Sequence, residues 1–175
     1  MNLKFLFRRI PKPIAIRLYE AKLWLRFQWQ CLKANSVSPS LAARRYVISK
    51  RSAGLGDSLV SLTSAWRYAK MTRRTLIVDW RFSCYSNDPT TNVFPLLFHP
   101  VSEIDGVPVW CDQSIEHHSF PGPFYPPEWN SENVHAKKVN PSLLLTDVLS
   151  RRINMAKDIG APSVVFHGCM WASPP

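Results

Sequence analysis

The sequence predicts an α/β domain built on a Rossmann-like open parallel sheet. Three stretches carry that prediction: a β-rich run at 45–49 that feeds a glycine turn, an apolar-faced helix after the turn, and a nearly all-apolar run at 75–79. A run of the last kind suits a strand buried on both faces of a parallel sheet. Strand, tight turn, helix and buried strand, in that order, make a βαβ unit, right-handed by default.

In chain order, residues 1–34 read as a basic amphipathic helix beginning after Pro11 or Pro13. Ile14, Leu18, Ala21, Leu25 and Leu32 recur at helical spacing, Trp24 and Trp29 lie close by, and Arg17, Lys22, Arg26 and Lys33 are interleaved. Such a helix suits an anionic membrane surface, with Trp at the interface and cations at the headgroups. It equally suits packing on the body with a solvated basic face. The polar stretch 35–40 separates an arm and linker (1–40) from a domain (41–175).

Within that domain, Leu59, Leu62, Trp66 and Ala69 form one helical face ending at Lys70, Arg73 and Arg74, cations that suit a helix C-terminus. Residues 80–100 lack clean periodicity and predict a long packed loop at the C-terminal end of the second strand. Residues 106–111 predict a further strand whose pairing Pro108 limits. An irregular stretch, 112–141, carries the Pro-rich run 120–127; a helix capped by Ser142 is predicted over 142–157, and a closing strand over 163–167.

A length of 175 residues suits one domain with a core and is too short for two full ones. With 46% hydrophobic and 19% charged residues, the chain is not of the disordered class. The net charge of +10 is lopsided: residues 1–52 carry twelve Lys/Arg against the single acid Glu20, so the first 52 residues hold +11 and the rest −1. The basicity belongs to the arm, which excludes a uniformly basic nucleic-acid-binding domain, and no zinc-finger, RNP or helix-turn-helix motif is present. Cys31, Cys84, Cys111 and Cys169 are far apart, without a C-x-x-C pair, so they read as reduced thiols rather than a disulfide framework or zinc site. No apolar run approaches the roughly 18 residues of a spanning helix, and recurrent Lys and Arg exclude a signal peptide. A cytoplasmic protein, soluble or peripheral at the inner face of the membrane, is expected.

Gly54-Leu55-Gly56-Asp57 lies between the first strand and its helix. Its glycines permit positive φ and close approach of the backbone. The helix start supplies unpaired N–H groups and a positive dipole end, which favour an anion such as phosphate. Asp57 is the expected N-cap, and its carboxylate would compete for those N–H groups. The spacing matches neither G-x-G-x-x-G nor the Walker A pattern, so a purely structural turn stands beside the anion-facing reading. In the loop after the second strand, Trp80, Arg81, Tyr85, Asn87, Asp88 and Asn92 are residue types that bind sugars, placed where open α/β sheets bind ligands. A self-packed loop is the alternative. The adjacent His117 and His118 read as exposed loop residues, not a metal pair, and no metal site is expected.

Several ordered segments then resemble the nodulation fucosyltransferase (NodZ) family: 46–51, the GLGD turn, 65–69, 74–76, 79–81, 83–85, Thr91-Asn92-x-Phe94-Pro95, 119–124 and Met170-Trp171. The resemblance covers roughly 45–175. It implies the N-terminal, acceptor-side domain of a GT-B glycosyltransferase, which faces a second Rossmann-like domain across a cleft. It further implies metal-free, inverting transfer of fucose from GDP-fucose in α1,6 linkage to the reducing-end GlcNAc of a chitooligosaccharide. The guanine nucleotide would be held mainly by the second domain, through a His-x-Arg-Arg/His motif. That motif is absent from this chain, and Arg151-Arg152 lacks the preceding His. The chain is therefore expected to be truncated before the donor-binding domain and inactive by itself. Inverting transfer calls for a carboxylate base; Asp79, Asp88 and Asp112 qualify on position alone. The competing reading is a non-catalytic carbohydrate- or membrane-surface-binding protein that retains the acceptor-side fold.

Overall fold

The computed structural model describes residues 14, 17, 18, 21, 22, 25, 27–29, 45–136 and 153–167. Its elements are β1 (Tyr46–Ser49), α1 (Leu55–Thr72), β2 (Thr75–Val78), the short α2 (Phe94–Leu97), β3 (Glu103–Ile104), β4 (Val107–Trp110), β5 (Phe124–Tyr125) and β6 (Ser163–Phe166). They form one sheet of order β3-β4-β2-β1-β6-β5. β1 is buried at every position because it is central. It pairs in parallel with β2 (Tyr46↔Thr75) and with β6 (Tyr46↔Ser163).

The expected α/β class holds, with one departure from an all-parallel sheet: β3 runs antiparallel to β4. Asp105 and Gly106, at φ 50° and 77°, close that hairpin. Two successive positive φ values are the geometry of a tight mirror-image turn, which Asp-Gly favours. Gly106 thus belongs to the turn and not to the strand. Pro108 faces edge strand β3 and lies outside the Leu76↔Val109, Ile77↔Trp110 register with β2. There its missing N–H removes no bond from the parallel ladder.

α1 buries a different face from the one its large apolar residues predict. Leu59 is 38% exposed, while Ser58, Ser61, Ser64, Ala65, Tyr68, Ala69 and Thr72 face the sheet, with Leu62 and Trp66 packed at the margin. Small side chains let the helix lie close to the strands. Some of their hydroxyls return to the helix backbone, as Ser64 Oγ does to the Val60 carbonyl at 3.1 Å and Thr72 Oγ1 to Tyr68 at 2.6 Å. The helix ends at Arg73, in the left-handed region at φ 53°. Arg74 is not a solvated last-turn cation. It is buried and donates to the Ala161 and Pro162 carbonyls (2.5 and 3.1 Å) and to Asp158 Oδ1 (2.7 Å), tying the end of α1 to the entrance of β6.

On the α1 face, Val47, Leu76, Val78, Val164 and Phe166 pack with Ala65, Tyr68 and Ala69. The opposite face (Tyr46, Ile48, Ile77, Val165) is covered by Ile115, Phe120, Phe124, Trp129 and Val134 from the long irregular stretch. That stretch includes β5 and a 3-10 turn at Gln113–His117 that no periodicity announced. Cis peptide bonds precede Pro123 and Pro126.

Of the helix predicted over 142–157, residues 142–152 lie outside the described residues, and 153–157 are not helical. Asn154 instead builds a turn, its side chain accepting from Ala156 N at 2.9 Å. The described residues between 14 and 29 are helical. Phe27 is buried against the Tyr125 ring at 5.5 Å, whereas Ile14, Leu18, Leu25 and Trp29 are exposed, as are Arg17 and Lys22. Among the described residues no helix is long and apolar enough to cross a membrane.

Candidate functional site

From β1 the chain builds β2, β4 and β3 on one side, and β5 and β6 on the other. Such a reversal leaves a crevice outside the C-terminal strand ends, where α/β sheets bind ligands. The residues that follow β1, β2 and β6 meet there: Lys50, Asp79 and His167. His167 Nδ1 lies 2.9 Å from the Lys50 carbonyl oxygen, and Arg51 donates to the His167 carbonyl at 3.4 Å.

Asp79 organises this rim. It is 1% exposed, accepts from Lys50 Nζ at 2.6 Å, and receives Arg81 Nε and Nη2 at 2.8 Å each. Burial alone would raise its pKa. The Arg81 hydrogen bonds and the Lys50 and Arg81 charges outweigh burial and hold the carboxyl down to about 2. Burial pulls the Lys50 ammonium downward despite Asp79. Arg81 continues the chain to His135 Nδ1 at 3.0 Å, and His135 Nε2 meets the His118 carbonyl at 3.0 Å. Two buried cations share one carboxylate, and half-buried Arg51 lies beside them, so the rim is electropositive.

Phe82 sits at φ 62°, a strained conformation for a bulky side chain. It is held by its N–H to the Pro89 carbonyl (2.9 Å) and by Ser52 Oγ to its own carbonyl (2.5 Å). That backbone brings its ring to 5.5 Å from Lys50 Nζ, within cation–π reach.

The glycine turn differs from its sequence reading in two respects. Neither Gly54, at φ −57°, nor Gly56 uses positive φ. The N-cap is Gly54, not Asp57, because α1 already begins at Leu55. Asp57 sits within the first turn, half exposed, 3.8 Å from Arg51, and caps no N–H group. Tyr85 Oη accepts from Leu55 N at 2.9 Å, while among the described residues the Gly56 and Asp57 N–H groups have no acceptor. A Cβ added at Gly54 or Gly56 would meet nothing within 4 Å. The turn is open space bounded by amide donors and an arginine, an arrangement that suits an anion.

Four of the six residues singled out in the following loop part company. Trp80 is in the core against Phe94 and Phe98 (5.2 and 6.0 Å). Arg81 is engaged by Asp79. Asn92 is fully buried; its Nδ2 donates to the Val78, Cys111 and Asp112 carbonyls (2.8, 3.1 and 3.1 Å), and its Oδ1 accepts from Trp80 N at 2.9 Å. Tyr85 is half exposed and links loop to turn. Of the three aspartates named for a base, Asp79 is neutralised, Asp88 accepts from Thr90 and Thr91, and Asp112 caps the 3-10 turn through Ser114. Sequence reasoning passed over Glu128, just beyond β5: it is 8% exposed, among the described residues neither carboxyl oxygen has a side-chain partner, and burial, outweighing a hydrogen bond from its own backbone, pushes it up to about 7. Its one signal was an acid set between Pro127 and Trp129. Among the described residues no three His, Cys, Asp or Glu side chains converge as metal ligands.

The family model described as Nodulation protein Z (NodZ) matches residues 43–174. Nodulation protein Z of Sinorhizobium fredii (strain NBRC 101917 / NGR234) is 45% identical over 130 residues, which cover 73% of this chain and 40% of that protein. The protein of the same name from Bradyrhizobium diazoefficiens is 42% identical over 142 residues, or 79% and 38%. The crystal structure of fucosyltransferase NodZ from Bradyrhizobium superposes with a TM-score of 0.64 at 43% identity, over 73% of this chain and 46% of that one. NodZ α1,6-fucosyltransferase co-crystallised with GDP gives 0.63 at 43% identity, over 72% and 44%; the form soaked with GDP-fucose gives 0.62 at 43%, over 73% and 45%. The chain thus spans less than half the length of the relatives it matches. On these grounds the chain belongs to the nodulation protein Z (NodZ) family.

Proposed function

We propose that this chain supplies the acceptor-side domain of a GDP-fucose-dependent α1,6-fucosyltransferase acting on a GlcNAc-containing, chitooligosaccharide-like acceptor. One observation carries the reading: the open Gly54–Asp57 turn, with two N–H groups beside Arg51 that have no acceptor among the described residues, lies at the switch point of the sheet in a member of this family. The turn faces the donor phosphates and the Tyr85 loop faces the sugar acceptor, with Trp80, Arg81 and Asn92 fixing that loop from beneath. Positive charge at the phosphates comes from Arg51 and the helix start, so the reading calls for no metal. Calorimetric titration with chitotetraose tests it: the chain binds the sugar, and Tyr85→Ala binds several-fold more weakly. Unchanged binding by that variant removes the loop from the site. In a longer relative, Gly56→Val at the matching position lowers turnover of GDP-fucose while leaving the melting temperature nearly unchanged, because the added carbons meet open space. Unchanged kinetics would make the turn merely structural.

A second reading concerns the N-terminal segment alone. Exposed Ile14, Leu18, Leu25 and Trp29 beside exposed Arg17 and Lys22 suit the inner, anionic face of a membrane. The chain is expected to co-sediment with phosphatidylserine vesicles at low salt and to be released at high salt. Absence of low-salt binding discards this reading.

A further inference from the structure

Residues 126–136 reach the ends of β2 and β6. Trp129 and Val134 are plugged into the core on the face opposite α1. The Trp129 ring stands edge-on to His167, after β6, at 5.4 Å, and His135 reaches Arg81, after β2. The segment is folded on itself through Trp129 N to the Pro126 carbonyl (3.1 Å), Asn133 Nδ2 to the Glu128 carbonyl (2.9 Å) and Val134 N to the Asn130 carbonyl (3.0 Å).

Two side chains of this segment set opposite protonation requirements. Glu128 is buried, and among the described residues no side chain partners either carboxyl oxygen. The titratable group facing it among the described residues is the Tyr125 phenol, whose own pKa burial raises further. Among the described residues no cation offsets an ionised Glu128, which favours the protonated carboxyl. His135 has the reverse need. Its Nδ1 faces an Arg81 N–H, its Nε2 faces the His118 carbonyl, and its ring stacks on Phe120 at 5.7 Å. The charged groups around it are Arg81, Asp79 and Lys50, of which two are cations. A guanidinium donor at Nδ1 and a carbonyl at Nε2 together fix the neutral ring protonated at Nε2. An imidazolium would aim a second N–H at Arg81.

We propose that residues 126–136 form a pH-gated strap over the C-terminal rim of the sheet, seated while Glu128 is protonated and His135 is neutral and loosened when either group changes state. Burial places the alkaline edge of this window near the Glu128 value of about 7, and the downward shift of His135, from burial and the Arg81 charge, places the acid edge below the usual histidine range. The strap covers the rim that carries Arg81 and His167, so its state sets access to that rim. This device stands apart from the fucosyltransferase reading and is testable without any substrate.

The test is amide hydrogen exchange by NMR at Trp129 and Val134 across pH 5–9, corrected for intrinsic base catalysis. Protection is expected to fall toward alkaline pH by up to about tenfold per pH unit between about 4.5 and the Glu128 value of about 7, levelling off above it, and protonation of His135 is expected to lower it at acid pH. Glu128→Gln should abolish the alkaline fall, and His135→Gln the acid fall. Flat protection in the unmutated chain, or either fall persisting in its own variant, overturns the proposal. Carboxyl-carbon titration of Glu128 in the unmutated chain needs no variant to fold. A midpoint above about pH 6 supports the strap; one below that sinks it.

Discussion

Asp79 and Glu128 lie near the same rim, each almost wholly removed from water, and differ in what surrounds them. Asp79 receives three hydrogen bonds from the Lys50 and Arg81 side chains; among the described residues no side chain donates to Glu128. Burial presses both toward the neutral acid. Cations outweigh that pressure at Asp79, which is held down to about 2, and nothing outweighs it at Glu128, which is pushed up to about 7. Burial therefore fixes the size of the penalty, and partners fix its sign. A fully partnered charge holds the ends of two strands together, whereas an unpartnered one stores a strain that pH releases.

The sharpest way to break the contrast is to take away the shared partner. Asp79→Ala leaves Lys50 and Arg81 buried without a counter-charge, and urea unfolding should show a loss of about 3–5 kcal/mol. Next comes Glu128→Gln. A folded-state carboxyl raised from the ordinary 4.5 to about 7 binds its proton more tightly when folded, so its stabilising effect is present below about pH 4.5 and is lost as pH rises through 7. The variant should match the parent near pH 4.5 and exceed it at pH 8 by up to about 3 kcal/mol. A parent stability that stays flat from pH 5 to 8 would contradict this assignment. Lys50→Met should cost less, within about 1 kcal/mol either way, because Asp79 keeps its two-pronged Arg81 contact and a costly desolvation is relieved. The smallest effect belongs to His135. Its folded pKa is lowered, so its contribution is full above the unfolded value near 6.5 and fades as pH falls below it. In His135→Gln the stability-versus-pH curve should be flatter below pH 6.5, and an unchanged curve would remove His135 from the balance.

Much of this fold was legible where residues obey a period. Residues 75–79 read as a doubly buried strand because nearly every side chain is apolar, and β1 with its glycine turn announced the βαβ unit. β5 was illegible because two residues between prolines show no period, and its register with β6 depends on a strand made far later in the chain. The buried face of α1 was misread because serine and threonine look like solvent residues, although small hydroxyls that bond to their own helix carbonyls suit a close helix–sheet contact. At the site, the same residue types that bind sugars also stitch loops. Asn92 and Trp80 have the right chemistry for a ligand, yet the fold spends it on the ends of β2 and β4 and on the core. Asp57 was misassigned by three positions, since the N-cap Gly54 has no side chain to announce it and only geometry shows where the helix starts. Glu128 escaped notice because an isolated acid in a Pro-rich stretch looks solvated, and only its burial reveals otherwise.

The pairing of β1 with β6 carries a consequence for the order of events during synthesis. Tyr46 meets Ser163 across the ladder, a separation of 117 positions (163 − 46), whereas Tyr46 meets Thr75 after only 29. A nascent chain can therefore join β1 to β2 early and must carry the other edge of β1 open until β6 emerges. An apolar strand with an unpaired edge is a template for pairing with another molecule, and so distant a closure is slow. Ribosome-held chains that end before residue 163 should accordingly stay sensitive to pulse proteolysis, and those long enough to expose β6 should gain resistance; resistance appearing earlier would show that β1 is shielded by some other segment first.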